Sequence, residues 1–213
     1  MVDSYKHKGL RKQLVDELRL KGIKDETVLT AINSIPRHFF LDKVFTEQAY
    51  SNMAFQIGAG QTISHPFTVA FQTQLLELSK GERVLEIGTG SGFQTAILCQ
   101  MGAKVFSIER QKELYLKCQS IIDHLKFNPK LKFGDGYKGW PAFAPFDKII
   151  VTCGAPSIPE ELVNQLADRG KMVIPIGEGK NQEMLLIQKK DQKITTEKLG
   201  VFSFVPMLKE TVR

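Results

Sequence analysis

The glycine-rich segment from Val84 to Gly92 constrains the fold of this chain more than any other feature. It reads Val-Leu-Glu-Ile-Gly-Thr-Gly-Ser-Gly, an apolar run followed by three glycines at alternate positions. We interpret it as a buried strand, a tight turn and the start of a helix, because alternate glycines let backbone approach a ligand with no Cβ in the way. The G-x-G-x-G spacing differs from the G-x-G-x-x-G that aims helix N–H groups at a pyrophosphate. The acidic Glu86 before the glycines also favours a ribose and a zwitterionic tail over a phosphate.

A second acidic residue supports a nucleoside site. Glu109 ends a second predicted strand that begins at Lys104, and it follows Gly88 by 21 residues. In nucleotide-binding α/β folds, an acid about 20 residues beyond the glycine turn accepts hydrogen bonds from ribose hydroxyls. The ligand that fits both features is S-adenosylmethionine.

Length and composition indicate one globular α/β domain. The chain has 213 residues, of which 42% are hydrophobic and 24% are charged, and this length can bury a sizeable core. We expect a single domain over 1–213, with N-terminal helices and a substrate-side turn in 1–78 and a cofactor-binding core in 79–213. No apolar run is long enough to cross a bilayer, and no apolar block follows the polar N-terminus. We therefore expect a cytoplasmic protein that does not bind membranes.

Charge and cysteine content narrow the function classes. The net charge is +6, but the basic residues are spread along the chain instead of forming the stripe or tail of a nucleic-acid binder. Cys99, Cys118 and Cys153 are odd in number and far apart, which predicts neither a disulfide framework nor a metal site. The four histidines are also scattered. We expect a monomer that holds no metal and binds no nucleic acid.

From Arg83 onward, strand and helix patterns alternate, which predicts parallel strands joined by crossover helices. The gap between 175 and 182 is too short for a crossover helix, so the sixth strand of the series is expected to run antiparallel beside the fifth. The predicted strands are 83–87, 104–108, 131–133, 146–151, 171–174, 183–189 and 199–205, and the predicted helices are 93–101, 111–125 and 159–167.

The N-terminal part is predicted to be helical, with an irregular segment before the third helix. Leucines at 10, 14 and 18 share one helical face, Asp25 is a candidate N-cap for a second helix, and Pro66 falls in the first turn of a third. The segment 37–60 is predicted to be irregular. Its aromatic residues are expected to pack against the main domain, and they are Phe39, Phe40, Phe45, Tyr50 and Phe55.

These segments together resemble the protein-L-isoaspartate O-methyltransferases, S-adenosylmethionine enzymes of the Rossmann-like class. The resemblance runs from about His7 to Leu208, and its most family-specific part is Gln61-Thr62-Ile63-Ser64, since many methyltransferases share the glycine turn. It also rests on Ile35-Pro36-Arg37-His38-Phe39-Phe40, Ser107-Ile108-Glu109-Arg110, Gly134-Asp135-Gly136, Ala144-Pro145-Phe146-Asp147, Ile149-Ile150-Val151-Thr152 and Phe204-Val205-Pro206. The implied fold is a three-layer α/β methyltransferase fold, with a mostly parallel seven-stranded sheet, an antiparallel C-terminal part and extra N-terminal helices.

The resemblance also implies a role for each matching position. It implies that Ser64 is the active-site residue, that Glu109 holds the ribose and that Asp135 lies beside the adenine. The other implied cofactor contacts are Gly88, Thr89, Gly90, Ser91, Gly92 and Gly136, and the implied substrate contacts are Gln61, Thr62, Ile63 and Val205. Three positions depart from the family pattern and bear on the polarity of the pocket, namely Phe67, Phe93 and Cys153.

The implied reaction is methylation of the free α-carboxylate of isoaspartyl residues in damaged proteins and peptides, the first step of their repair. A carboxylate with a pKa of about 4 is already ionised at neutral pH and requires no general base, which agrees with a chain that lacks a Ser-His-Asp arrangement. Catalysis then depends on alignment and the exclusion of water. Ser64 alone would be read as a helix N-cap and Asp135 as a turn residue; the resemblance favours a substrate role for Ser64.

Two alternatives remain open. The first is another methyltransferase, acting on nucleic acid or a small molecule. Enzymes that methylate base amino groups tend to carry Asn/Asp-Pro-Pro-aromatic after the fourth strand, where this chain has Thr152-Cys153-Gly154-Ala155-Pro156, and cytosine-C5 enzymes need a Pro-Cys pair that the sequence lacks. A non-catalytic module that binds S-adenosylmethionine is the other alternative, and the intact segment around Ser64 argues against it.

Overall fold

The computed structural model describes residues 2–212 and has the three-layer α/β architecture that the sequence predicts. The strands within this range are β1 (Phe55–Gly58), β2 (Gln61–Ile63), β3 (Arg83–Ile87), β4 (Lys104–Glu109), β5 (Lys130–Phe133), β6 (Phe146–Val151), β7 (Leu166–Ile176), β8 (Gln182–Lys190) and β9 (Lys193–Phe202). The helices are α1 (Tyr5–Leu20), α2 (Glu26–Ser34), α3 (Pro66–Leu75), α4 (Phe93–Gln100), α5 (Lys112–His124) and α6 (Glu160–Asn164).

The main sheet has seven strands in the order β5-β4-β3-β6-β7-β8-β9. The first five of these are parallel to one another, whereas β8 is antiparallel to β7 and β9 is antiparallel to β8. This confirms a mostly parallel sheet with an antiparallel C-terminal part. Because β4 and β6 lie on opposite sides of β3, the strand order reverses there, and a crevice forms at the carboxyl ends of these strands where ligands bind in open α/β sheets.

Helices cover both faces of this sheet, which explains why its central strands are continuously apolar. On β3, Leu85 belongs to the core on one face and Val84 to the core on the other, and both side chains are fully buried. Ile149 and Ile150 of β6 divide between the same two cores. The central strands are thus held rigidly, and the turns that follow them are placed accurately at the crevice.

The aromatic cluster packs against the main domain, as predicted, and the structure adds that the N-terminal helices contact α4. The rings of Phe40 and Phe93 lie 5.5 Å apart in an edge-to-face arrangement, and Leu29 of α2 shares a buried core with Ile97 of α4. The prediction that 37–60 is irregular was partly wrong, because β1 pairs with β2 in a short antiparallel hairpin. Strands of three and four residues give too short an alternation to be recognised in the sequence.

Two C-terminal predictions were wrong in their bounds. The last strand begins at Lys193, directly after a tight turn in which Asp191 and Gln192 both have positive φ, and not at 199. Its outer position leaves nearly every side chain exposed, so no apolar alternation marks it. Helix α6 ends at Asn164 because Leu166 already pairs with Phe146, ahead of a bulge that precedes the main pairing of β7.

No helix in the described range of 2–212 combines the length and apolarity that crossing a lipid bilayer requires.

Candidate functional site

A cleft of about 800 Å³, open solvent at its mouth included, lies at the carboxyl ends of β3, β4 and β6. It brings together segments that are far apart in the sequence. Most of the predicted site residues lie on its wall, namely Gln61, Thr62, Ile63, Ser64, Gly88, Thr89, Gly90, Ser91, Glu109, Gly136 and Val205. Gly92 and Asp135 do not lie on the wall.

The glycine turn after β3 passes so close to β6 that a side chain cannot be accommodated. Gly88 has a φ of +95°, and a Cβ built on it would lie 2.6 Å from Oγ1 of Thr152. The Thr152 hydroxyl in turn donates a hydrogen bond to the carbonyl of Gly88 at 2.6 Å. Gly92 does not line the cleft. It allows α4 to pack closely on α5, because a Cβ built on it would lie 2.6 Å from Sγ of Cys118.

Glu109 presents a fixed, buried carboxylate to the cleft. Its side chain is 4% exposed, and its two oxygens accept hydrogen bonds from the N–H groups of Gly90 and Gln111, each at 2.8 Å. Burial raises the pKa of this carboxyl, and the backbone hydrogen bonds oppose the rise. The carboxylate is therefore held in one orientation, with lone pairs left for hydroxyl donors of a ligand.

Glu86 stands behind the glycine turn and not on the cleft wall. It is fully buried, and Oε2 accepts a hydrogen bond from the hydroxyl of Thr95 at 2.5 Å, whereas Oε1 has no partner among the described residues. Burial raises its pKa to about 7. Glu86 thus supports the turn and α4 from beneath instead of selecting the ligand by its charge.

Ser64 lies on the cleft wall one residue before α3. The N-cap of α3 is His65, which makes no side-chain capping bond, so the interpretation of Ser64 as a plain N-cap is wrong. The Ser64 side chain is half-buried and faces the cleft. Its carbonyl accepts a hydrogen bond from Nη2 of Arg37 at 2.8 Å, which fixes the turn from behind. The hydroxyl is therefore placed to donate to a ligand.

Asp135 organises the turn after β5 from a position off the wall. Oδ1 accepts a hydrogen bond from the N–H of Tyr137 at 2.9 Å, and Oδ2 accepts one from the N–H of Glu210 at 3.2 Å. The first bond caps a short turn in which Gly136 reaches the wall. The turn-residue interpretation of Asp135 is thus supported, and the residue acts on the cleft through Gly136 and the C-terminal segment.

Two buried glutamines on the wall escaped the sequence analysis. Gln94 is 6% exposed, and its Nε2 donates to Oγ1 of Thr73 at 3.0 Å, while its Oε1 has no partner within residues 2–212. Gln72 donates from Nε2 to the carbonyl of Val151 at 3.0 Å. A buried acceptor without a protein partner beside a cleft suits a donor on a ligand. From the sequence alone, a glutamine on a predicted helix is expected to be exposed to solvent, so these two residues were not predicted.

Cys153 also lies on the wall, and burial raises the pKa of its thiol to about 12. The group is a protonated thiol at neutral pH and is a poor nucleophile. The raised pKa favours the interpretation of Cys153 as a small, partly buried thiol over a catalytic one.

Outside the cleft, the fold brings together two histidines that the sequence separates. Asp3, His7 and His38 place ligand atoms within 4.8 Å of one another. However, both carboxylate oxygens of Asp3 accept hydrogen bonds from Arg11, at 3.0 and 2.9 Å, and Nδ1 of His38 lies 2.6 Å from the Tyr50 hydroxyl. A cation would have to displace Arg11, so the cluster ties the N-terminus to α1 and the aromatic segment.

Comparison with known proteins gives consistent matches over almost the whole chain. The family model described as protein-L-isoaspartate(D-aspartate) O-methyltransferase matches residues 9–212. Relatives named protein-L-isoaspartate O-methyltransferase from Christiangramia forsetii and Flavobacterium psychrophilum are each 54% identical over 211 residues, which cover 99% of this chain and 99% of theirs. A solved structure from Plasmodium falciparum, described as a putative protein-L-isoaspartate O-methyltransferase in complex with S-adenosyl-L-homocysteine, has a TM-score of 0.83 at 28% identity, covering 94% of this chain and 99% of that one.

Proposed function

Since the chain belongs to the protein-L-isoaspartate(D-aspartate) O-methyltransferase family, we propose that the cleft beside β3, β4 and β6 is its active site. The enzyme transfers a methyl group from S-adenosylmethionine to the α-carboxylate of isoaspartyl residues and so initiates their repair. One observation carries the assignment of the site: the family-specific run 61–64 and the glycine turn lie on the walls of one cleft.

The residues of the cleft fit S-adenosylmethionine. Glu109 offers a fixed carboxylate to the ribose hydroxyls, and Gly88 lets backbone approach the ligand where a Cβ has no room. The unpartnered Oε1 of Gln94 suits an ammonium donor. Bound in this cleft, the cofactor supplies an electrophilic methyl group on a sulfonium sulfur.

The predicted cofactor residues divide into two groups by their position. Glu109 and the segment from Gly88 to Ser91, together with Gly136, contact the cofactor directly in this proposal. Gly92 and Asp135 act indirectly, since Gly92 allows α4 to pack on α5 and Asp135 sets the turn that carries Gly136. Substitution of Asp135 should therefore weaken cofactor binding less than substitution of Glu109.

The substrate carboxylate is held by the turn that precedes α3. Its pKa is about 4 in the absence of a perturbing environment, so it arrives ionised and no residue has to remove a proton. Ser64 donates its hydroxyl hydrogen to one carboxylate oxygen and leaves the other free to attack in line with the methyl group. Alignment of this kind contributes on the order of 7–11 kcal/mol to the rate.

The peptide chain of the substrate is proposed to lie along Gln61, Thr62 and Ile63 and to contact Val205 on the facing wall. In the described chain, β2 pairs only with β1, so no strand occupies its second edge, and the peptide is proposed to pair there. Recognition through backbone groups reads the shape of the chain and tolerates many neighbouring side chains. Isoaspartyl residues occur in many sequences, and this mode of binding suits them.

We further propose that the enzyme is a single-domain monomer that works in the cytoplasm on isoaspartyl-containing proteins and peptides. Its partners include neither nucleic acid nor membranes, and no metal takes part. The basic residues are spread along the sequence and form no run or tail, which supports a protein that does not bind nucleic acid. Size-exclusion chromatography with light scattering should give the mass of one chain; a dimer mass would contradict the monomer.

Calorimetry tests the cofactor assignment. S-adenosylmethionine and S-adenosylhomocysteine should bind at a ratio of one per chain and compete with each other, whereas ATP and NAD should not displace them. The reason is that the G-x-G-x-G spacing of the turn differs from the G-x-G-x-x-G that aims helix N–H groups at a pyrophosphate. Binding of ATP as tight as that of S-adenosylmethionine would contradict the assignment.

A further inference from the structure

Arg37 is a buried arginine directly behind residues 61–64, which lead into α3 and are here called the Ser64 turn. Its side chain is 1% exposed. The guanidinium donates hydrogen bonds to the carbonyls of Ala49 at 2.8 Å, Met53 at 3.0 Å and Ser64 at 2.8 Å. Among the ion pairs that residues 2–212 form, none includes Arg37.

The surroundings of Arg37 solvate the charge without cancelling it. The rings of Phe55 and Phe93 lie 5.7 and 5.6 Å from the guanidinium carbon, and with the three carbonyls they supply only dipoles and quadrupoles. Burial lowers the pKa of Arg37 to about 9, so the group is still charged at neutral pH. Burying an unpaired charge costs free energy. A charge kept in the interior also raises the electrostatic potential at the groups around it.

The nearest part of the cleft is the Ser64 turn. Nη2 of Arg37 is one hydrogen bond away from the Ser64 carbonyl, and Ser64 lies on the cleft wall whereas Arg37 does not. Arg37 therefore touches no ligand and can act only through the turn and through space. Its field is screened less than in water, because Arg37 is buried.

We infer that Arg37 is a positioning residue that makes the Ser64 turn electropositive, so that the turn selects an anionic ligand over a neutral one of the same shape. The inference deepens the proposed function and rests on it, because the anion is the substrate carboxylate. The same charge assists turnover: methylation converts the carboxylate into a neutral ester, which the turn no longer attracts. The substrate is retained and the product is released by one fixed charge.

The size of the effect follows from Coulomb's law. At a separation of roughly 7 Å and an effective dielectric constant of about 20, one charge changes the affinity for an anion by on the order of ten- to a hundredfold. Arg37 also holds three carbonyls in place, so its removal loosens the turn as well. A distorted turn would bind every ligand less tightly, whereas loss of the charge would weaken only the binding of the anion. This difference distinguishes a structural role of Arg37 from an electrostatic one.

The experiment compares two peptides of one sequence, an isoaspartyl peptide and the same peptide with its α-carboxylate replaced by a carboxamide. The affinity of each is measured by inhibition or direct titration with wild type, Arg37→Met and Arg37→Lys. Arg83→Met is the matched control. Arg83 also lies over two aromatic rings and donates to a carbonyl, that of Phe143, but it sits at the end of β3 remote from the cleft.

We expect wild type to bind the acid at least tenfold better than the amide. Arg37→Met should remove most of this preference, Arg37→Lys should keep it only at the acidic end of the assay range, where a buried ammonium stays protonated, and Arg83→Met should leave it unchanged. Equal weakening of both peptides in Arg37→Met would show a structural role and overturn the inference. If that variant does not fold, the wild-type ratio decides, since equal affinity for acid and amide also overturns it. A wild type that methylates no isoaspartyl peptide would instead overturn the proposed function.

Discussion

The carboxylate of Glu109 accepts a hydrogen bond from the backbone N–H of Gly90 at 2.8 Å. This bond joins the end of β4 to the glycine turn after β3, and a second bond from Gln111 fixes the other carboxylate oxygen. The acid proposed to hold the ribose and the turn proposed to surround the cofactor are therefore set relative to each other by the protein itself. Such preorganisation reduces the ordering that binding would otherwise require.

Replacing Glu109 should selectively weaken the binding of the cofactor. Glu109→Ala should lose roughly 1.5–3 kcal/mol of S-adenosylmethionine binding, the range for hydrogen bonds to a charged group. Titration calorimetry measures this, with Glu197→Ala on the exposed face of β9 as the control that should bind normally. An unchanged dissociation constant in Glu109→Ala would remove this residue from the site.

Two glycine substitutions should separate backbone strain from close approach. Gly88 and Gly81 have φ angles of +95° and +89°, but a Cβ on Gly88 would meet Thr152 Oγ1 at 2.6 Å, whereas one on Gly81 meets nothing within 4 Å. We expect Gly88→Ala to lower the melting temperature more than Gly81→Ala and also to weaken S-adenosylmethionine binding. Melting curves with and without cofactor provide the comparison. Equal losses in the two variants would show that the crowding at Gly88 does not matter.

The parts of the site that the sequence predicted are those with strong local constraints. Gly88 and Glu109 could be placed because one buried parallel strand ends just before Gly88 and another ends at Glu109, and such ends meet at one edge of a sheet. Gln94 could not be predicted as a site residue, because its burial beside Thr73 and the cleft arises only from tertiary packing. Strand β9 was misplaced for a related reason: an exposed edge strand carries no apolar alternation.

Removing the Ser64 hydroxyl should reduce turnover without reducing stability. His65 occupies the N-cap of α3, so Ser64→Ala removes no capping bond, and a melting temperature within about 1 °C of wild type is expected because no stabilising interaction is lost. Turnover should fall while the dissociation constant of S-adenosylmethionine stays constant. Ser34→Ala, at the exposed end of α2, serves as the control. A loss of about 1 kcal/mol of stability with normal specific activity would instead indicate a cap.

The buried Glu86 should make stability depend on pH. Burial raises its pKa from 4.5 to about 7, so between these values the folded state retains a proton that the unfolded chain has released. Its contribution to stability is complete below pH 4.5 and is lost as the pH rises through 7. The Glu86→Gln variant is neutral at all pH values. Its stability relative to that of wild type should therefore increase as the pH rises from 5 to 8. The gain should be of the order of 3 kcal/mol at most.

Urea denaturation at pH 5 and pH 8 tests this expectation. The exposed Glu197→Gln provides the control, and its stability relative to wild type should not change with pH. The same difference between Glu86→Gln and wild type at both pH values would show that the Glu86 carboxyl does not titrate in this window.

Methyl transfer to a matched pair of peptides tests the central claim most directly. Labelled S-adenosylmethionine is incubated with the enzyme and with two peptides of one sequence, which differ only in an Asp or an isoAsp linkage. Both carry the same charge, so discrimination must come from the geometry of the chain as it leaves the Ser64 turn. We predict label in the isoaspartyl peptide, with a preference well above the roughly 10–200-fold that a misplaced methylene gives in an apolar pocket. Equal labelling of the two peptides would contradict the account.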